Sequence, residues 1–255
     1  MVRAVSSGSG VDPRAERAVL DCRDVEAMRK IARSTDALIH VAGIHLADSV
    51  AAACDASTPR RLVVVSTANA VLPGHPNADR YRQYEEVFRR ARPDTTLVRP
   101  TMIYGSNRDR NVHKVVRFAN RWRFLPIPTP SAGAIQPIHY ADLAAVIVAL
   151  VTADPGLIVS AAGPTPISLE TAARTIFAAL GLTPRLVRIP LSPLLPLARL
   201  WYRGTGSRTA ARLARLLIDR TVDVGQMSAV TGMNPRSFEA GVISLVKEMR
   251  ALGAL

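Results

Sequence analysis

The sequence predicts an α/β fold: a Rossmann-like parallel sheet with helices on both faces, followed by a small C-terminal α/β substrate subdomain. Three observations carry this. Short β-rich runs alternate with helical segments, the order expected of βαβ units. DALIHVAG (36–43) and RLVVVST (61–67) are nearly unbroken apolar runs, which suits strands buried on both faces. LVRPTMIYG (97–105) is an apolar strand that meets Pro100 and ends at Gly105. Proline removes a ladder donor, so the chain should leave the sheet there. A parallel sheet offers its carboxyl strand ends to a ligand, and Tyr104-Gly105 should sit at such an end.

The elements follow in order. ERAVLD (16–21) reads as a first strand, and residues 1–15 as a flexible tail. Asp24 is an N-cap for VEAMRKIARS. After the strand at 36–43, SVAAACDA (49–56) is helical, 61–67 is a strand, and ADRYRQYEEVFRRA (78–91) is a helix. Within it Tyr81, Tyr84 and Phe88 recur at helical spacing, an apolar stripe. TTLVRP (95–100) is the next strand. Asn111 can cap a helix reaching Arg123. AIQPIHYADLAAVIVALV (134–151) is a short strand and a helix capped by Asp142. LIVSAAG (157–163) is a strand. A helix from Ser168 to Leu180 stops at Gly181, where a left-handed residue can end it. TAARLARLLIDR (209–220) and the segment after NPRS (234–237) are the last helices. A composition shift near residue 150 divides a nucleotide-binding part (16–150) from the substrate part (151–255).

At 255 residues and 48% hydrophobic content the chain can bury a full core, which excludes general disorder. The net charge is +13, and lysine occurs only at Lys30, Lys114 and Lys247, so arginine dominates. This is the charge of a solvated basic surface, or of one attracted to phosphates or an anionic membrane. Cys22 and Cys54 make neither a disulfide framework nor a metal site, and a reducing cytoplasm is the expected setting. No apolar run is long enough to span a bilayer. IPLSPLLPLARLWY (189–202) suits either burial under a loop or contact with a membrane surface. The five histidines have no paired metal spacing, and no HExxH, CxxC, GxSxG or GxxxxGK[ST] occurs. Lys114, Arg117 and Arg121 share a helix face with Arg110, but no nucleic-acid reader motif accompanies them, so nucleic acid is not an expected partner.

The runs VLDCRD (19–24), DALIHVAGI (36–44), RLVVVST (61–67), TLVRPTMIYG (96–105), RDRN (108–111), QPIHYADLA (136–144) and PRSFEAGV (235–242) resemble the atypical and extended short-chain dehydrogenase/reductase superfamily. The likeness is to its NAD-dependent epimerase/dehydratase-like and NmrA-like members, including relatives of the complex I NDUFA-type subunit. It implies NAD or NADP as cofactor. Asp21 and Cys22 would lie beside the adenine, and Val41, Ala42 and Gly43 beside the ribose. Ser66 and Thr67 would stand near the nicotinamide, with Thr67 in a catalytic role. Arg99, Pro100 and Tyr104 would border the cleft. Asn111, Arg110 and His139 would face a small-molecule substrate, with Arg110 suited to a substrate phosphate. Asp142 would brace the same loops, unless it is simply a helix cap.

The sequence departs from that pattern twice. The glycine-rich loop that cradles the pyrophosphate is not present, so the first strand and its loop are expected to be missing, as from a start placed too far downstream. The family's YxxxK pair, in which lysine lowers the tyrosine pKa, is also broken. Tyr81 remains as the catalytic candidate, but position 85 is Glu and no lysine lies near. Two activities therefore stand side by side: an epimerase, dehydratase or reductase acting on a nucleotide-sugar or similar substrate, and a non-catalytic dinucleotide-binding or regulatory protein.

Overall fold

The structure, a computed structural model, describes residues 3–5, 16–18, 20–55, 58–107, 109, 111–129, 133–190 and 219–255. Most of the helix expected at 209–220, and the run after Pro190, lie outside them, as does Arg110.

Four parallel strands form the central sheet: β3 (Ala37–His40), β4 (Arg61–Val65), β5 (Thr96–Pro100) and β9 (Ile158–Ala161), in the order β3-β4-β5-β9. Strand alternation sorts their side chains to two faces. Leu62, Val64 and Leu97 join Met28, Val50 and Phe88 in one core, under α1 (Val25–Arg33), α2 (Ala47–Ala53) and α3 (Ala78–Ala91). Val63, Val98 and Val159 join Val146, Leu150 and Met227 in the other, under α5 (Tyr140–Thr152) and α7 (Gly225–Thr231). Helices therefore cover both faces, as the alternation of elements predicts. Asp24 caps α1 by accepting from the Ala27 N–H at 3.0 Å. Phe88 is buried, with Tyr81 and Tyr84 packed against the same core, as the helical stripe predicts.

Two expectations need correction here. Residues 3–5 are not simply tail: β1 (Arg3–Val5) pairs in parallel with β2 (Glu16–Ala18). β3 is not buried on both faces. Among the described residues it bonds only to β4, and Ile39 is 39% exposed. β5 ends at Pro100, as the proline predicts. Its pairing with β4 ends at Val98, so beyond that point no β4 neighbour awaits the missing proline donor, and β5 runs on against β9 through Pro100↔Ala161.

A third core lies beside the sheet. It gathers α4 (Val112–Trp122), α6 (Leu169–Leu180) and α8 (Phe238–Ala251) around β7 (Leu125–Thr129), which pairs in parallel with β10 (Leu186–Pro190). Ser168 caps α6 and Ser237 caps α8. Gly181 ends α6 at φ 73°, as expected. The short pair β6 (Ile103–Tyr104) and β8 (Ile138–His139) links sheet and third core. Tyr104 is the joint: its ring packs at 5.1 Å from Phe238, and Gly241 lets α8 approach its hydroxyl.

Candidate functional site

The carboxyl ends of β3, β4 and β5 lie side by side because the strands are parallel and adjacent. After β3 the chain runs through Val41, Ala42 and Gly43, all at least partly exposed, with Val41 at 65%. Gly43 has φ 123°, a region that side chains resist. Its carbonyl lies 3.0 Å from His40 Nε2, which ties the loop to the strand end. Burial holds the His40 imidazole below its ordinary value.

After β4 and β5 the chain encloses a cavity of about 200 Å³ lined by Thr67, Asn69, His75, Pro100 and Thr101 among others. Thr67 caps the turn 68–70 by accepting from the Asn69 N–H at 3.2 Å, so its side chain is fixed. His75 Nδ1 lies 3.3 Å from the Asn77 N–H. Thr101 Oγ1 donates to the Gln136 carbonyl.

A charged network braces the cavity from behind. Arg99 Nε donates to Glu85 Oε1 at 2.9 Å, its Nη2 reaches Oε2, and Ser66 Oγ donates to the same carboxylate at 2.5 Å. Glu85 is 3% exposed, so the carboxylate is held by partners rather than by water.

The structure brings together Val41, Ala42, Gly43, Thr67 and Pro100 along the strand ends. Ser66 and Arg99 are adjacent to them, but their polar atoms bind Glu85. Asn111 stands at the rim of the 200 Å³ cavity. Its side chain does not cap α4. Asp109 does so instead, accepting from the Asn111 and His113 N–H groups. Tyr81 does not line the cavity. Its ring lies 6.0 Å from that of His75, within the α1–α3 core. Asp21 is exposed in the turn after β2, accepting from the Arg23 N–H at 2.9 Å. Burial and the Asp21 charge push the neighbouring Cys22 thiol up. Tyr104 is fully buried, and burial pushes its phenol up.

His139 is buried and does not line the cavity at the strand ends. It caps α5, its Nδ1 accepting from the Ala141 N–H at 3.2 Å, and lies edge-on to Tyr104 at 5.5 Å. The expectation that Asp142 caps α5 is therefore corrected. Asp142 holds Arg236 instead, accepting from its Nε, Nη2 and backbone N–H at 2.9–3.0 Å.

Sequence reasoning missed His75, Glu85 and Arg236. A signal existed for Glu85, which lies four residues after Tyr81 and three before Phe88, on the apolar stripe. A carboxylate there must find a buried partner. Arg236 is 94 residues from Asp142 and had no local signal. No group of metal-ligating side chains occurs among the described residues. No helix among them is long and apolar enough to cross a membrane.

No protein-family model and no curated protein matches this sequence. Solved structures do. MoeE5 in complex with UDP-glucose and NAD superposes with a TM-score of 0.75 at 14% identity, covering 98% of this chain and 91% of that one. PA4631, a nucleoside-diphosphate-sugar epimerase from Pseudomonas aeruginosa, gives 0.72 at 16% identity, covering 94% and 84%. UDP-N-acetylglucosamine 4-epimerase from Bacillus cereus gives 0.71 at 14%, covering 96% and 89%. At such identities the likeness is one of fold: the chain has the Rossmann-like α/β fold of these structures, which is the fold implied by its resemblance to the short-chain dehydrogenase/reductase superfamily.

Proposed function

We propose that this protein is a NAD(P)-dependent, epimerase/dehydratase-like oxidoreductase or isomerase acting on a small molecule with an oxidisable alcohol or reducible carbonyl carbon. The carrying observation is the cavity at the carboxyl ends of β4 and β5, which stand next to the exposed loop after β3. Parallel α/β sheets bind dinucleotides at such strand ends. The residues fit that group in part. Val41, Ala42 and Gly43 give a small-residue surface for the ribose, and Thr67, Pro100 and Thr101 surround the place for the nicotinamide. The sequence contains no glycine-rich loop for the pyrophosphate. The NAD and UDP-glucose named with MoeE5 support a dinucleotide and a small-molecule substrate.

A bound nicotinamide supplies or accepts a hydride. The chain's own part is to orient and to move a proton. The Thr67 hydroxyl is fixed at the turn 68–70 and can hydrogen-bond a substrate oxygen. His75 brings an imidazole ring to the cavity wall, a group suited to proton transfer with the substrate. The Ser66–Glu85–Arg99 network keeps the floor rigid.

One observation favours a second reading, a non-catalytic dinucleotide-binding protein. Tyr81 packs in the core and the chain has no lysine near it, so the family's usual proton pair is not assembled. Calorimetric titration of the full chain with NAD(H) and NADP(H) tests what both readings share. Saturable heat with at least one is expected, weakened at least tenfold by Val41→Glu. No heat with any would defeat both, and turnover with a bound dinucleotide separates them.

A further inference from the structure

A second cavity of about 280 Å³ lies in the third core between α4, β7 and α6. It shares Met102, Asn111 and Arg220 with the polar cavity at the strand ends, so the two meet. Of its fifteen lining residues among those described, thirteen have apolar side chains, and the polar two, Asn111 and Arg220, stand at the junction. The walls include Val112, Leu125, Ile127, Ile176 and Phe238.

Such walls discriminate. A nucleotide base and ribose carry several donors and acceptors, and burial against hydrocarbon leaves them unpaired. A hydrocarbon group gains from the same surface in proportion to the area removed from water. The cavity also reaches the outside: Val115 lines it and is 38% exposed. Val115 stands on α4 with Phe118 and Trp122, the latter 59% exposed, beside the exposed Lys114, Arg117 and Arg121. Apolar and basic side chains on one helix face suit the approach of an amphiphile.

We propose that the substrate is an amphiphile. Its aliphatic group fills the α4–β7–α6 cavity, and its oxygen-bearing end passes Asn111 and Arg220 into the polar cavity beside Thr67 and His75. This rests on the oxidoreductase reading above and names the substrate class of that same site.

The test titrates the full chain calorimetrically with 1-decanol, UDP-glucose and, separately, NAD(H) and NADP(H). Decanol is expected to bind with a negative heat-capacity change. Val115→Asp places a carboxylate at the mouth of the cavity on a partly exposed helix position, and should weaken decanol at least tenfold with an unchanged melting temperature. Val115→Leu should retain binding. UDP-glucose heat without decanol heat would overturn the amphiphile, as would decanol heat that Val115→Asp leaves unchanged. Decanol heat lost in Val115→Asp, with no heat from any dinucleotide, would uphold the ligand class and overturn the cofactor reading alone.

Discussion

Glu85 and Arg99 are locked in a two-pronged ion pair between helix α3 and strand β5, and Ser66 at the end of β4 donates to the same carboxylate. One buried group thus ties together a helix and two strand ends that frame the candidate site. Removing the carboxylate would leave the Arg99 charge with little water around it. Breaking a buried pair in this way costs about 3–5 kcal/mol. Glu85→Ala is therefore expected to lower the unfolding free energy by roughly that amount in urea titration. A change below about 1 kcal/mol, the size expected of exposed pairs, would show that the network is not closed in solution.

Gly241 and Tyr104 make a second, purely steric prediction. A Cβ at position 241 would lie 2.1 Å from the Tyr104 hydroxyl oxygen, in a core where neither α8 nor the ring has room to yield. Gly241→Ala should destabilise by about 1–3 kcal/mol, the usual cost of overpacking. Tyr104→Phe in the same chain should recover part of the loss, because it removes the closest atom. Thermal melts of the two single variants and the double variant measure this directly.

Stability should fall on mild acidification. Burial holds both His40 and His139 below the ordinary imidazole value of 6.5, helped at His139 by the Arg236 charge. The unfolded chain then takes up protons before the folded one does. The stabilisation is complete above about pH 6.5 and is lost as pH drops through and below that value. The urea midpoint should be lower at about pH 5.5 than at about pH 7.5. A midpoint that rises on acidification would contradict the burial of these rings.

The proton-handling role proposed for His75 predicts a loss of turnover without a loss of fold. His75→Asn should reduce kcat by about a hundredfold, the lower end of general acid–base effects, with the melting temperature little changed. Thr67→Val should reduce kcat as well, because the turn loses its cap and the substrate oxygen its donor. Steady-state kinetics on the dinucleotide absorbance reads both.

Much of the sheet was legible because period and punctuation agreed. The α3 stripe, the strand at 61–65 and the serine and glycine that bound α6 were readable from local chemistry alone. β3 shows what was not: its unbroken apolar run reads as a doubly buried strand, but burial depends on a neighbour, and among the described residues it pairs on one side only. Pro100, by contrast, marked the end of β5 correctly. For the candidate site, the sequence placed Val41 to Gly43 and Thr67 just beyond strand ends, and the structure puts them there. His75 reaches the cavity through an irregular stretch with no period to reveal it, and Asp142 met Arg236 through tertiary folding that no spacing records.

The central claim is that a dinucleotide lies across the carboxyl ends of β3, β4 and β5. A crystal structure of the full chain grown with NAD+ or NADP+ tests it most directly. The account predicts nicotinamide density beside Thr67, Pro100 and Thr101, with a ribose against Val41 to Gly43. Density elsewhere on the molecule, or none at saturating concentration, would contradict it.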